Sequence, residues 1–303
     1  MDILGESRFD FLGKSRIALV FSTVMVLVGL AAAVAIPLGK AKLGTDFSGG
    51  IAIQFRFEKP YAIEEVRSLL KESGYVDADL QQFADPTRLL VKVKPEGGDL
   101  RGVSAAIGEV FKSGLAGNPF EVEQTTEVGP TVGGKLQRDA LTAIVIALAL
   151  ILLYVAWRFE LRFGVAAVAA TFHDVLAVLG VLFVMDREIN FLIVTALLTI
   201  AGYSLTDTVV VFDRIRENLR RKTREELPLL VNRSINEVLR RTIVTSLTTL
   251  LVLVALLFLG GEVIHDFSLT LFLGVLVGTY SSIFVASPIL LAWKGRKGKL
   301  LQR

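Results

Sequence analysis

Six stretches of nearly unbroken apolar sequence, at residues 17–38, 139–157, 163–185, 189–212, 242–259 and 267–293, limit what this chain can become. Each is close to the roughly 20 apolar residues that a helix needs to cross a bilayer core ~30 Å thick. Inside that layer there is no water to satisfy the backbone, so each run reads as one hydrogen-bonded helix. Composition agrees, since 52% of the 303 residues are hydrophobic and 21% charged. The chain is therefore not a soluble enzyme. It has 0 cysteines, which excludes disulfides, iron–sulfur clusters and thiol nucleophiles, and 2 histidines, too few for a polyhistidine metal site. No cofactor and no metal are expected.

The formal charge of +3 does not signal nucleic acid, because the basic residues lie beside the spans. Arg8, Lys14 and Arg16 precede the first run, and Ala31, Ala33 and Ala35 near its end resemble a signal-peptidase site. A secretory signal has an apolar region of only about 7–15 residues, and this run is longer, so residues 1–16 read as a cytoplasmic lead-in to a retained span. With that end in the cytoplasm, the positive-inside rule can be tested on each short connection. Arg158 and Arg162 lie between spans two and three. The basic loop 213–241 carries Arg214, Arg216, Arg220, Arg221, Lys222, Arg224, Arg233, Arg240 and Arg241. The tail 294–303 adds Lys294, Arg296, Lys297, Lys299 and Arg303, whereas residues 260–266 on the opposite side hold no Lys or Arg. Both termini are expected in the cytoplasm.

Residues 39–138 are long enough to translocate whatever their charge. Ile51, Ile53, Phe55 and Phe57 alternate with smaller or polar residues, the period of a half-buried strand. Ile63, Val66, Leu69 and Leu70 follow helical spacing; a weak strand around 78–83 and the alternation of Leu89, Val91 and Val93 come next. Leu100, Val103, Ile107, Val110 and Phe111 are again spaced as in a helix, and 120–128 is extended. The order βαββαβ is that of the ferredoxin-like α+β unit, so the expected fold is six transmembrane helices with one extracytoplasmic (periplasmic) ferredoxin-like domain. That fold hosts many functions and specifies none.

Ionisable residues inside spans are costly and mark ion paths or protein contacts. His173 and Asp174 lie near the middle of the third span and Asp207 in the fourth, where Tyr203, Ser204, Thr206 and Thr208 surround it with hydroxyls. Asp207 could merely be a buried group that fixes helix packing, but in a span that otherwise reads as apolar the ion path is the favoured reading. Adjacent residues on a helix point about 100° apart, so His173 and Asp174 need not share a site. Asp213, six residues beyond Asp207, begins a charged run and reads as the exit from the membrane. The fifth span opens with Arg240 and Arg241 and carries Thr242, Thr245, Ser246, Thr248 and Thr249. Arg241 and Thr245 are four apart and share a helix face, so they could meet Asp207 from a neighbouring helix. An arginine at the end of a span ordinarily snorkels to the headgroups, and the residues alone favour that reading for Arg241.

Several motifs together resemble the SecF family of bacterial protein-export subunits, within the RND superfamily. They are Asp46-Phe47-Ser48-Gly49-Gly50, Val128-Gly129-Pro130-Thr131-Val132-Gly133, His173-Asp174-Val175, the run from Gly202 through Asp207 and Asp213 to Asn218, and Arg241-Thr242-Ile243-Val244-Thr245-Ser246. The likeness covers nearly the whole chain in order, with one departure at Thr206, where the family commonly has Asn. The resemblance implies that the proton-path aspartate falls on Asp207 and the functional arginine and threonine on Arg241 and Thr245. It also implies a place in the bacterial inner membrane, a partner, SecD, that supplies another six spans, and a SecYEG translocon whose exported unfolded polypeptides the pair helps to move late in translocation. The expected protein is a non-enzymatic subunit that uses the proton motive force, with sodium as an alternative ion.

Two rival readings can be weighed from the same residues. A half-transporter of the RND type exporting small molecules or lipids could use the same relay. An intramembrane serine hydrolase built on Ser204 and His173 is poorly supported, because Gly202-Tyr203-Ser204-Leu205-Thr206 lacks the second glycine of a nucleophile elbow.

Overall fold

A computed structural model describes residues 9–83, 85–94, 102–221 and 225–293. Arg8, Leu100, Lys222, Arg224 and the basic tail 294–303, all used in the sequence reading, lie outside the described residues. Six helices among those described are long and apolar enough to cross a membrane. They are α1 (Ser15–Ala35), α5 (Pro130–Arg158), α6 (Leu161–Val184), α7 (Phe191–Arg220), α8 (Leu227–Leu259) and α9 (Gly261–Ser281), the last continuing through a π-helical turn (Ser282–Ala286) into α10 (Ser287–Ala292).

Between α1 and α5 the chain forms a short helix α2 (Thr45–Ser48) and then a small domain: β1 (Gly50–Phe57), α3 (Ile63–Glu72), β2 (Asp79–Gln82), β3 (Arg88–Val93), α4 (Val103–Gly114) and β4 (Phe120–Val128). The four strands form one antiparallel sheet in the order β2-β3-β1-β4. Ile51, Ile53, Phe55 and Phe57 point to one face, where Val66 and Leu70 of α3 and Ile107 and Phe111 of α4 bury them. The alternation in β1 is what this one-sided burial requires. Phe55 meets Phe111 edge-on with ring centroids 4.9 Å apart, and Phe120 meets Phe111 at 5.9 Å. Tyr61 packs against Phe57 and donates a 2.7 Å hydrogen bond to the Arg88 carbonyl.

In the membrane part, α6, α7 and α9 form the interior, while α1, α5 and α8 turn large apolar side chains such as Leu27, Leu153 and Leu251 outward. The tightest crossing is that of α1 and α6. A Cβ on Gly29 would stand 2.1 Å from the Leu176 carbonyl oxygen, and one on Gly180 would stand 2.8 Å from the Gly29 nitrogen. Without water to drive helices together, association relies on close packing of this kind at small residues.

Several elements extend beyond the apolar runs. α8 has 33 residues, so at 1.5 Å per residue it spans about 50 Å, well beyond a bilayer core of ~30 Å. Its first turns, with the end of α7, occupy much of the segment read from sequence as a basic loop at 213–241. Leu227, Leu230, Val231, Ile235 and Leu239 recur at helical spacing and bury against Val211, Phe212 and Ile215 of α7. The charges between them lie on the outer faces, where Arg214 bonds Glu237 and Glu217. A count of basic residues conceals that periodicity. α5 likewise begins at Pro130, inside the range 39–138, and its first turns pack against α2, where Gln137 donates to the Phe47 carbonyl at 3.2 Å. The π turn precedes Pro288, which has no N–H to continue the ladder, and Ser287 Oγ donates to the Ser282 carbonyl at 3.2 Å.

Gly29→Ala should separate α1 from α6 and destabilise the folded protein by about 1–3 kcal/mol, the usual cost of overpacking; unfolding of the detergent-solubilised chain measures it. A second expectation concerns pH. Burial, with the Asp85 carboxylate adding to it, pushes the Tyr61 phenol up to about 12. Because the neutral form is favoured on folding, this stabilisation is complete below the ordinary value of 10.0 and is lost as pH rises toward about 12. Circular dichroism across that range should show alkaline loosening of the sheet domain that Tyr61→Phe diminishes.

Candidate functional site

Among the described residues, two clusters of buried polar groups surround the intramembrane aspartates on the facing sides of α6, α7, α8 and α9. The first is built on Asp174, which is wholly buried. His173 Nδ1 lies 2.9 Å from Asp174 Oδ1, Ser204 Oγ of α7 donates to Oδ2, and Ser281 Oγ of α9 donates to the same oxygen at 2.8 Å. Adjacent residues on a helix diverge, yet here the imidazole reaches back to the neighbouring carboxylate. Ser204 sits against Gly278, where an added Cβ would be 3.0 Å from the serine Cβ, so α7 and α9 approach closely at this point. His173 Nε2 is buried without a hydrogen-bond partner among the described residues. The cluster ties three helices together and leaves Asp174 little freedom to change partners.

The second cluster is built on Asp207, also buried, about one turn beyond Ser204 along α7. Ser246 Oγ of α8 lies 3.4 Å from Asp207 Oδ2 and 2.7 Å from Thr279 Oγ1 of α9. A hydrogen bond of 3.4 Å is long and correspondingly weak. Asp207 is therefore held loosely compared with Asp174, in a seam of hydroxyls that can re-form around it at small cost.

The expected companions of Asp207 take other positions. Thr245 is exposed, and its Oγ1 donates to the Arg241 and Thr242 carbonyls of its own helix at 3.0 Å. Ser246, the next residue, supplies the hydroxyl that faces Asp207. Arg241 lies within electrostatic range of Asp207 without a direct ion pair to it among the described residues. It borders a cleft of about 510 Å³ lined also by Tyr154, Thr206, Asp213, Arg214 and Glu217. That cleft opens at the end of the bundle away from the sheet and reaches Thr206, one residue from Asp207. Thr206 itself donates to the Gly202 carbonyl of its own helix at 3.3 Å.

Thr279 and Ser281 were not singled out from sequence, although Thr279-Tyr280-Ser281-Ser282 is a hydroxyl run inside an otherwise apolar span. That run was the available signal. Tyr280 extends it toward α1, donating to the Ala18 carbonyl at 2.8 Å and lying 3.0 Å from Ser22 Oγ.

Six spans, an inserted sheet domain and buried carboxylates within the bundle define a multi-pass membrane protein. The family profile described as "Protein export membrane protein SecD/SecF, C-terminal" matches residues 110–296. The protein translocase subunit SecF of Thermodesulfovibrio yellowstonii is 52% identical over 293 residues, covering 96% of this chain and 96% of that one. The protein translocase subunit SecDF of Thermus thermophilus is 43% identical over 97% of this chain, which spans only 40% of that longer protein. The crystal structure of SecDF, a translocon-associated membrane protein from the same organism, superposes with a TM-score of 0.83 and 40% identity, covering 96% of this chain and 39% of that one. The chain belongs to the SecD/SecF family of protein-export membrane proteins, and its relatives' names support a role in protein translocation.

If Asp174 is the knot and Asp207 the loose group, their removal should differ in stability. Asp174→Ala strands two serines and a histidine in the interior and should cost about 3 kcal/mol or more. Asp207→Ala should cost well under half of that, and denaturant titration of the two variants side by side makes the comparison.

Proposed function

We propose that the chain is a non-enzymatic subunit of bacterial protein export that works with SecD to couple an ion gradient, the proton motive force in the first instance, to late translocation through SecYEG. The observation that carries the reading is the loose setting of Asp207, a buried carboxylate with a long bond to Ser246, an arginine at electrostatic range and a cleft beginning one residue away. A group so placed can gain or lose a cation and exchange partners, and the exchange alters how α7 packs on α8 and α9. One charge crossing a 100 mV potential supplies about 2.3 kcal/mol, enough to bias helices between two packings.

In this reading Asp207 is the ion-relay carboxylate and Arg241 acts on it at electrostatic range, while Thr245, turned away in this state, reaches it on a rotation of α8. Tyr203, Thr245, Thr248 and Thr249 form a hydroxyl strip on an outward part of α7 and α8, each threonine hydroxyl donating to a carbonyl of its own helix, and small hydroxyl residues of this kind suit close helix packing. The strip fits coverage by another membrane protein, and SecD is the partner that the fused SecDF relative suggests. His173 and Asp174 are a second part of the relay or its structural anchor. The bundle lies in the inner membrane with the end bearing Arg158, Arg214, Arg216 and Arg221 in the cytoplasm, as the distribution of basic residues supports. The sheet order β4-β1-β3-β2 with two helices on one face supports a ferredoxin-like extracytoplasmic domain, placed where an exported unfolded polypeptide emerges.

Asp207→Asn keeps the shape and hydrogen-bonding capacity of the side chain but cannot exchange a proton near neutral pH. In proteoliposomes holding this chain, SecD and the translocon, that variant is expected to insert and copurify normally while losing the stimulation of export by whichever gradient, proton or sodium, drives the wild type. Full stimulation in the variant would remove Asp207 from the relay.

A further inference from the structure

Besides its chain connections through α2 and α5, the sheet domain meets the membrane part at the connection between α6 and α7, residues 185–190. Leu43, just after α1, forms a parallel bridge with Ile189: the Gly44 nitrogen donates to the Ile189 carbonyl at 2.9 Å, and the Ile189 nitrogen donates to the Lys42 carbonyl at 2.8 Å. Asp46 Oδ2 accepts the Phe191 N–H at 3.0 Å, at the first turn of α7. Lys42 pairs with Asp186, which itself adopts φ 57°, and Arg187 reaches Asp266 on α9 at 3.3 Å. From the sheet, Lys92 on the open face of β3 descends to pair with Glu188, the two side chains being 13% and 15% exposed. This short connection thus touches the end of α1, the start of α7, α9 and the sheet at once, and it joins the helix carrying Asp174 to the helix carrying Asp207.

Among the described residues, the Lys92–Glu188 pair is the direct side-chain ion pair between a sheet strand and this connection. Its neighbours are Asp79, 4.0 Å from Lys92 Nζ, and Asp266, whose negative charge reaches Glu188. Burial pushes the Glu188 carboxyl above its ordinary range, against the pull of Lys92. A pair desolvated to this degree adds little net stability, because the cost of removing both charges from water offsets much of their attraction. What it does supply is a fixed geometry between two bodies.

We propose that Lys92 and Glu188 are the coupling residues that transmit movement of α6 and α7 to the sheet domain. The inference rests on the ion-driven reading above and adds the route by which work done at Asp207 leaves the membrane. α7 begins at Phe191, so a tilt of that helix moves Glu188, and Glu188 carries Lys92 and β3 with it. The other links in the junction run to α1, to α9 and, through Asp46, to α2 ahead of β1, whereas Lys92–Glu188 grips a strand of the sheet itself.

The chain contains 0 cysteines, which permits a test by replacing the ion pair with a covalent one. In the proteoliposomes described above, Glu188→Gln and Lys92→Met should each lower the gradient-stimulated part of export roughly 5-fold or more, the low end of ordinary coupling between sites. Gradient-independent export and copurification with SecD should stay at the wild-type level. The double variant Lys92→Cys with Glu188→Cys should show the same loss until a short bismaleimide joins the thiols, and should then recover. Stimulation that survives both single variants, or that the cross-link fails to restore, overturns the coupling role. A wild type that responds to neither a proton nor a sodium gradient removes the ion-driven reading itself, and the coupling role with it.

Discussion

A carboxylate carried into hydrocarbon must find its partners inside the protein, because neither water nor lipid can supply them. That requirement arranges the membrane half of this molecule. Asp174 draws Ser204 from α7 and Ser281 from α9 onto α6, and the three helices that meet around it form the interior. The outer helices α1, α5 and α8 carry leucine and valine to the surface, as the bilayer demands, and attach to that interior through small residues such as Gly29 and Gly180. Once the three inner helices are fixed, the remaining hydroxyls of α8 and α9 can line a second pocket around Asp207.

The two aspartates illustrate how the same residue type is turned to different ends by its neighbours. Among the described residues, three groups hold Asp174 in place, whereas Asp207 has a single long bond. An element that moves under a modest driving force has to be only weakly committed to its resting contacts, since a ligand shifts an equilibrium no further than its preference between the two states. In the proposed reading the firm cluster is the fulcrum and the loose one the place to act. The sheet domain, with its own aromatic core, meets the bundle at the 185–190 connection.

Periodicity made most of the architecture legible. Apolar runs of about 20 residues can be little else than spans, and the alternation at Ile51, Ile53, Phe55 and Phe57 reports one buried face of a sheet. Ends of elements were less visible. α8 starts at Leu227 because Leu230, Val231 and Ile235 bury against α7, but a reading guided by the arginines interspersed among them sees a loop. The choice between Thr245 and Ser246 as the hydroxyl facing Asp207 turns on about 100° of helix rotation. That rotation is set by how α8 packs on α7 and α9, which nothing in the local sequence records.

The sequence by itself determined the spans, the inserted α+β segment, the family and the two intramembrane aspartates, because each follows from local composition, short-range spacing or motifs. Only the tertiary structure decided which partners those aspartates have and which residues join the sheet to the bundle. Ser281 lies 107 positions from Asp174, and Glu188 lies 96 from Lys92. Contacts over such separations depend on how whole helices rotate and cross. Close packing at a few glycines and the need to satisfy buried charge settle those rotations, and both act only after the chain has been brought together.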